Sequence, residues 1–326
     1  MIRCKNRLSL GARTSCPQIK LLICLLLLGF IFSTRAAEWS AIESEHFDVI
    51  HNESENAARE ILKLSESFYP RVTTDIGYKP ERKIRIWFCR TQREFNMAVA
   101  APIQDWAAGA AYPLRARIVV RDPAYVKDRR INLERLVKHE ITHVVFGLYL
   151  SKNIKNVPRW FSEGLAMYEA GEWSYAQYWT MLTASLGNSI IPFYELAEDF
   201  PWSEGQARMA YAQSCSIVTF IAKRYGEDAL RQCIALLAEG RGIDEALAGS
   251  TGWGLVGLER RWLKSIKGRY KWISFIGSWV VLWSVAVLIL VAAYWRRKVK
   301  NRRIIQQWEE EEEWWWEFDD DEETYE

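Results

Sequence analysis

The stretch Lys138-His139-Glu140-Ile141-Thr142-His143 lies in a segment, residues 132–150, whose apolar positions recur with helical spacing. Residues four apart on a helix lie about 40° apart around its axis and one turn apart along it, so His139 and His143 can reach one metal ion. Glu140 lies about 100° from His139, close enough to touch a metal-bound water without being a ligand. Two histidine ligands and a glutamate base in this pattern are typical of zinc hydrolases.

The motif is unlikely to arise by chance, because the chain has only four histidines in 326 residues. At this composition, a match somewhere in the chain is expected at roughly four in a thousand. The alternative is a pair of surface histidines one turn apart. The other two histidines, His46 and His51, flank the first predicted strand, and we expect them to be structural or surface residues.

A third protein ligand is predicted in the next helix, residues 159–170, because zinc needs three protein ligands and an open fourth position. Glu163 lies there among Trp160, Phe161 and Leu165. A carboxylate in apolar surroundings costs free energy unless a metal or another charge compensates it. The alternative is a solvated glutamate near a helix start, but no third histidine follows the motif. Two histidines and a carboxylate also suit iron, although the base within the motif favours Zn²⁺.

Composition sets the broad class of the protein. Hydrophobic residues make up 49% and charged residues 26% of a 38.1 kDa chain, which excludes global disorder and coiled-coil chains. The net charge of +2 hides strong segregation, because the first 37 residues hold six bases and no acid and the last 18 hold twelve acids and no base. The near-neutral middle argues against a nucleic-acid partner.

Two apolar segments flank the middle of the chain. Residues 21–32 follow a basic stretch and precede small residues, which predicts that residues 1–37 are a secretory signal peptide or an N-terminal signal anchor. Residues 272–295 are 24 uncharged residues with aromatic side chains mainly toward the ends, followed directly by six bases. This pattern predicts a transmembrane helix with residues 296–326 in the cytoplasm. We therefore expect a single-pass inner-membrane protein with residues 38–271 on the periplasmic side.

The exported region divides into strands followed by helices. Alternating apolar residues predict strands at 47–50, 83–89, 109–112 and 117–121, with a helix from a capping box at Asn52 and Glu55 to about Tyr69 and a short helix at 93–99. Helical spacing then predicts the following segments: 132–150, 159–170, 174–186, 206–225, 228–239 and 255–270. Strands first and helices afterwards indicate an α+β fold.

The histidine motif and the segment that follows it resemble a known family. His139-Glu140-x-x-His143 followed by Trp160-x-x-Glu163-Gly164-x-Ala166 resembles the gluzincin zinc metallopeptidases, specifically the bacterial peptidase-MA-like domains, over about residues 39–270. The resemblance implies a zincin-like fold and hydrolysis of peptide or protein substrates by a zinc-activated water. It implies His139, His143 and Glu163 as metal ligands and Glu140 as the catalytic base. Nineteen residues separate His143 from Glu163, one more than is usual in the related aminopeptidases, and the loop at 151–157 can absorb the difference.

Two further roles follow from the resemblance. Gluzincins often carry a tyrosine on a later helix that donates to the oxyanion, and Tyr211 is the best match; the alternative is a tyrosine packed in a helix core. Zincins also pair an extended substrate with an edge strand. Residues 117–121 are the candidate for this strand; the alternative is that they form an ordinary sheet strand. A zincin-fold binding or assembly module without catalysis is the main alternative to a membrane-anchored peptidase.

The remaining cysteines and the tail leave alternatives open. Cys215 and Cys233, on successive predicted helices, could pair in an oxidising compartment, or all three cysteines beyond the N-terminal segment could be buried thiols. The acidic tail carries Trp314-Trp315-Trp316 between acidic runs. Its charge predicts disorder, either as a solvated tail or as a segment that engages a basic cytoplasmic partner.

Overall fold

The structure is a computed structural model that describes most of the chain beyond its N-terminal segment. The described residues are 39–52, 54–99, 107–123, 132–187, 189–198, 200, 203–276 and 279–322. The predicted signal segment, residues 1–37, lies outside them. Within the described part, a small mixed sheet near the N-terminus is followed by a mostly helical region and one long apolar helix at the C-terminus.

Five strands form the sheet: β1 (Ser40–Glu43), β2 (Phe47–His51), β3 (Ile84–Cys89), β4 (Gly109–Tyr112) and β5 (Arg117–Arg121). Their order is β1-β2-β3-β5-β4, with β2, β3 and β5 parallel and the two outer strands antiparallel to their neighbours. β5 therefore lies inside the sheet, and β4 is the edge strand on that side. Of the two alternatives for residues 117–121, the ordinary sheet strand holds and the substrate-pairing edge is wrong, because β4 occupies the outer side of β5.

The helices begin with α1 (Glu55–Ile76) and α2 (Gln92–Ala98), which lie between the strands in sequence. Seven follow the sheet: α3 (Leu133–Leu150), α4 (Arg159–Glu169), α5 (Tyr175–Leu186), α6 (Glu204–Tyr225), α7 (Glu227–Ala238), α8 (Ile243–Thr251) and α9 (Leu255–Ile276). The last is α10 (Trp279–Glu322). The predicted α+β order is confirmed, whereas β1 and α8 were not predicted.

The core lies between one face of the sheet and the helices. Alternate residues of the central strands, such as Val49, Ile86 and Ile118, are fully buried there against α1 and α3. The opposite face is covered in part by α2, where Phe95 packs with Cys89 and Val119. This arrangement leaves one side of α3 free to contribute polar side chains to a site near β4.

Local contacts correct the predicted start of α1. Its N-cap is Ser54, without a side-chain capping bond, and the Asn52 amide donates instead to Glu94 Oε1 at 3.1 Å. The capping box of this region belongs to α2, where Thr91 and Glu94 bond reciprocally. His46 Nδ1 lies at hydrogen-bond distance from Glu66 Oε2 of α1, 2.8 Å away, which agrees with the structural role expected for this residue.

The C-terminal region differs from the sequence prediction in its tail. The described residues of the predicted span, 272–276 and 279–295, are helical in α9 and α10, and the candidate membrane helix is Trp279–Glu309, whose apolar side chains are not buried. The tail predicted to be disordered is helical to Glu322. Arg, Lys, Gln and Glu, which are strong helix formers, make up most of residues 296–313, and this propensity extends the helix that the apolar segment begins.

Candidate metal centre

Helix α3 places both histidines of the motif on its free side. Asn132 caps the helix, accepting from the Arg135 backbone N–H at 3.1 Å. Val137, Ile141 and Val144 are fully buried in the core, which fixes the rotation of α3 about its axis. The side chains of His139 and His143 consequently point away from the sheet core, and only 14% and 17% of their surface is exposed.

Helix α4 brings Glu163 to the histidines because it packs unusually closely on α6. A Cβ added to Gly164 would lie 2.7 Å from the carbonyl carbon of Ser214 on α6, so that only glycine permits this approach. Trp160 and Phe161 anchor the start of α4 in the core. Glu163 faces α3 and is 14% exposed.

The three side chains converge on one point. His139 Nε2 and His143 Nε2 lie 3.1 Å apart, and each is 3.4 Å from Glu163 Oε2. One candidate ligand atom from each residue lies within 4.8 Å of the others, and within the described part of the chain no other cluster of three His, Cys, Asp or Glu residues meets this criterion. The arrangement has the donor set and the convergence that a metal ion requires.

Three neighbours hold these side chains in place. His139 Nδ1 is 2.8 Å from Glu172 Oε1, His143 Nδ1 is 3.2 Å from Ser162 Oγ, and Arg159 Nε is 3.7 Å from Glu163 Oε1. A partner on Nδ1 fixes the ring so that Nε2 faces the centre, as metal-binding histidines require. The sequence analysis missed Glu172 and Ser162, because neither forms a recognisable pattern with the histidines. The only signal was their closeness to Glu163 in sequence.

Glu140 lies beside the three converging residues and packs against the edge of the sheet. It is 6% exposed. A Cβ added to Gly109 of β4 would lie 2.9 Å from Glu140 Cδ and closer still to its Oε1. The carboxylate therefore occupies the space that a side chain at position 109 would fill, and the backbone of β4 sets its position.

The charges of the site favour a cation. Burial alone would raise the pKa of Glu163, but the charges of His143 and His139 and their hydrogen bonds lower it well below its ordinary value. Burial alone would lower the pKa of His139, but Glu172 and Glu163 raise it. Burial raises the pKa of Glu140. Three carboxyl groups surround two imidazoles here, so a bound cation would compensate the buried negative charge.

Tyr211 on α6 lies on the Arg159 side of the centre. Its ring packs edge-on against Phe200 with centroids 5.0 Å apart, and the Arg159 guanidinium lies 4.9 Å above the same Phe200 ring. Burial, followed by the charge of Glu163, raises the pKa of Tyr211 above its ordinary value. The hydroxyl is therefore protonated at neutral pH and can act as a donor.

One further carboxylate of α4 and the three described cysteines lie outside the candidate metal centre. Glu169, the second carboxylate of α4, lies 3.7 Å from Arg71 of α1 and not at the histidines. Cys89, Cys215 and Cys233 are buried free thiols, so the alternative of a Cys215–Cys233 disulfide does not hold.

Comparison with family models identifies the superfamily of the chain. A family model described as the peptidase MA superfamily matches residues 66–268, which is more than half of the chain and includes α3, α4 and α6. None of the curated proteins matches the chain.

Proposed function

Because the chain belongs to the peptidase MA superfamily, we propose that it is a membrane-anchored zinc metallopeptidase of the gluzincin type with a zincin-like fold. The observation that supports this most directly is the convergence of His139 Nε2, His143 Nε2 and Glu163 Oε2, with the buried Glu140 carboxylate beside them. Two imidazoles and one carboxylate are a ligand set of catalytic zinc sites.

His139, His143 and Glu163 would hold the zinc ion. When bound, zinc lowers the pKa of a water molecule and polarises a carbonyl group. Glu140 would accept a proton from the attacking water at a carboxylate oxygen and deliver it to the leaving amine. Tyr211 would donate its hydroxyl proton in a hydrogen bond to the substrate carbonyl oxygen as negative charge develops there.

The substrate would be an extended peptide that pairs with the outer edge of β4. This strand ends the sheet order, and Gly109 at its start contacts Glu140. Main-chain hydrogen bonds to an edge strand bind peptides with little regard to sequence. They would place the peptide backbone next to the base.

The decisive test of activity uses the purified full-length chain and its Glu140→Gln variant. We expect wild-type protein to cleave members of a peptide mixture, a chelator to remove the cleavage, and added Zn²⁺ to restore it. Glu140→Gln should retain zinc but lose cleavage, because the base is not a ligand. Metal analysis of the isolated protein distinguishes zinc from iron.

Two outcomes would contradict the proposal. Near-normal turnover by Glu140→Gln would mean that another group is the base. A zinc-loaded wild-type protein that cleaves no peptide would favour a binding module on the same fold. Comparison of exported proteins between cells with wild-type and Glu140→Gln protein would then identify substrates.

The membrane anchor in this proposal is α10, with the peptidase domain on the periplasmic side of the inner membrane and the C-terminal tail in the cytoplasm. Residues 260–271 before the span carry as many bases as residues 296–303 after it, six in each. The positive-inside rule therefore does not choose between the two sides, contrary to the expectation drawn from the bases after the span alone. The orientation consequently rests on the predicted signal in residues 1–37. Protease added to sealed spheroplasts should digest the domain and spare a tag placed after Glu326. Digestion of that tag would contradict the proposed orientation and indicate the opposite one.

A further inference from the structure

Helix α9 has one buried side and one basic side. Leu258, Trp262 and Ile266 recur at helical spacing, are at most 6% exposed and face the domain, where Trp262 Nε1 donates to Ser216 Oγ of α6 at 3.2 Å. The residues on the opposite side are exposed: Val256, Arg260, Lys264 and Lys267. We call Arg260, Lys264 and Lys267 the basic stripe.

The charges of the basic stripe have no counterpart in the described part of the chain. None of its three residues forms a salt bridge with another described residue. Glu259, the one acid in the sequence of α9, accepts from the Phe193 backbone N–H at 3.0 Å and so serves the domain side. Arg261, beside the stripe, lies 3.6 Å above the ring of Trp253, which is 41% exposed.

The stripe is directly connected to the candidate membrane helix. α9 ends at Ile276 and α10 begins at Trp279, and α10 exposes an apolar surface along its membrane-length segment. Lys267 lies nine residues and Arg260 sixteen residues before Ile276, or about 14 and 24 Å along the helix. The stripe therefore reaches the headgroups of the bilayer that α10 crosses if α9 lies along its surface. A helix that carries bases and an exposed Val256 on one side, and is preceded by the exposed Trp253, is suited to the headgroup region of anionic lipid.

We propose that α9 lies on the membrane surface, with the basic stripe bound to anionic lipid headgroups, and thereby docks the peptidase domain against the bilayer. The inference rests on the membrane anchor of the proposed function but not on catalysis or on the orientation of the chain. Each base near an anionic surface contributes about 1 kcal/mol, or a factor of about five. Removal of the three bases should therefore shift the docking equilibrium on the order of 100-fold.

The test uses the full chain reconstituted into vesicles, with a fluorophore at Gly268→Cys. Gly268 is next to the stripe, and an added Cβ meets no atom within 4 Å. Phospholipids with a spin label on the headgroup quench a fluorophore only at short range. We expect strong quenching in vesicles that contain phosphatidylglycerol, and weak quenching in vesicles of phosphatidylcholine alone or at high salt, which screens the attraction.

Matched variants separate lipid docking from unspecific effects. Arg260→Gln/Lys264→Gln/Lys267→Gln should lose the quenching, whereas Lys79→Gln/Lys152→Gln/Lys155→Gln, which removes three exposed charges elsewhere, should retain it. A label at Glu60→Cys on α1, which packs against α3 and β2, should stay unquenched throughout.

The outcomes distinguish this inference from the proposed function. Protein that floats with the vesicles and resists alkaline extraction, yet shows equal quenching with both lipids or in the stripe variant, would overturn the docking of α9. This outcome would indicate that the basic stripe binds an acidic protein surface instead of lipid headgroups. Protein that fails to float would refute the membrane anchor itself. Glu140→Gln should show wild-type quenching, so that a failure of catalysis does not alter the result.

Discussion

Replacement of Gly109 by alanine tests whether the β4 backbone positions Glu140, the proposed base. The added Cβ would lie 2.9 Å from Glu140 Cδ, whereas non-bonded carbon atoms prefer about 3.5–4.0 Å. The carboxylate must therefore move by roughly 0.6 Å or more. Because a misplacement of about 1 Å can cost roughly 100-fold in rate, we expect kcat to fall roughly 10- to 100-fold.

The assay compares kcat for a peptide that the wild-type protein cleaves with the zinc content of each variant. Zinc content should be unchanged in Gly109→Ala, because the contacts of an added Cβ are with Glu140 and not with the proposed ligands. Gly205→Ala on α6, where a Cβ meets open space, is the matched control and should keep wild-type kcat. A folded, zinc-loaded Gly109→Ala protein with unchanged kcat would refute the role of β4 in positioning Glu140.

The remaining predictions concern three other carboxylates. Glu163→Gln should weaken zinc affinity by roughly tenfold or more in chelator competition while circular dichroism stays unchanged, since an anionic ligand is lost; unchanged affinity would refute Glu163 as a ligand. Glu172→Ala should lower zinc affinity roughly 10- to 100-fold because it frees His139, and Glu172→Gln, which retains an acceptor, should lose less. Equal losses in the two variants would mean that charge alone matters. Burial and then the charge of Asp75 raise the pKa of Glu169 to about 8 from 4.5. The folded state therefore favours the protonated carboxyl, and the stability it contributes is lost as the pH rises from 4.5 to 8. Glu169→Gln should reduce the fall in Tm over this range, and an unchanged fall would contradict this assignment.

The convergence of the three proposed ligands could be predicted from sequence because each of them leaves a local signal. The four-residue spacing of His139 and His143 places both side chains on one side of a helix, and the helix itself is predicted by the spacing of its apolar positions. Glu163 is conspicuous because a carboxylate in an apolar helix requires compensation. The structure brings these three residues together as the sequence analysis expected.

The residues that orient the site could not be predicted, because their contacts depend on tertiary packing. Glu172 follows the end of α4 in a segment without periodicity and reaches His139 across 33 positions. Gly109 lies against Glu140 because β4 packs on α3, and β4 is the outer strand of the sheet. Strand order is not encoded in the alternation of any single strand, which is why the sequence left open whether β5 is an edge strand or an ordinary sheet strand.

The sequence prediction was wrong at the end of α1 and missed the short helix α8, for local reasons. α1 continues through Pro70 to Ile76, since burial of Val72 and Ile76 in the core outweighs the lost backbone hydrogen bond. α8 was missed because its nine residues include Gly249 and two β-branched or small polar residues at its end. Its buried Ala246 and Leu247 show that packing stabilises it.

The proposed membrane surface and the candidate metal centre are connected through closely packed helices. Trp262 is 1% exposed and joins α9 to α6 through Ser216, and Gly164 lets α6 approach the backbone of α4, which carries Glu163. Closely packed helices move little relative to one another, because protein interiors are dense and have low compressibility. If the basic stripe rests on lipid, these contacts hold the metal centre at a fixed height above the bilayer. Peptide bonds at that height would then be cleaved in preference to bonds nearer to or farther from the membrane.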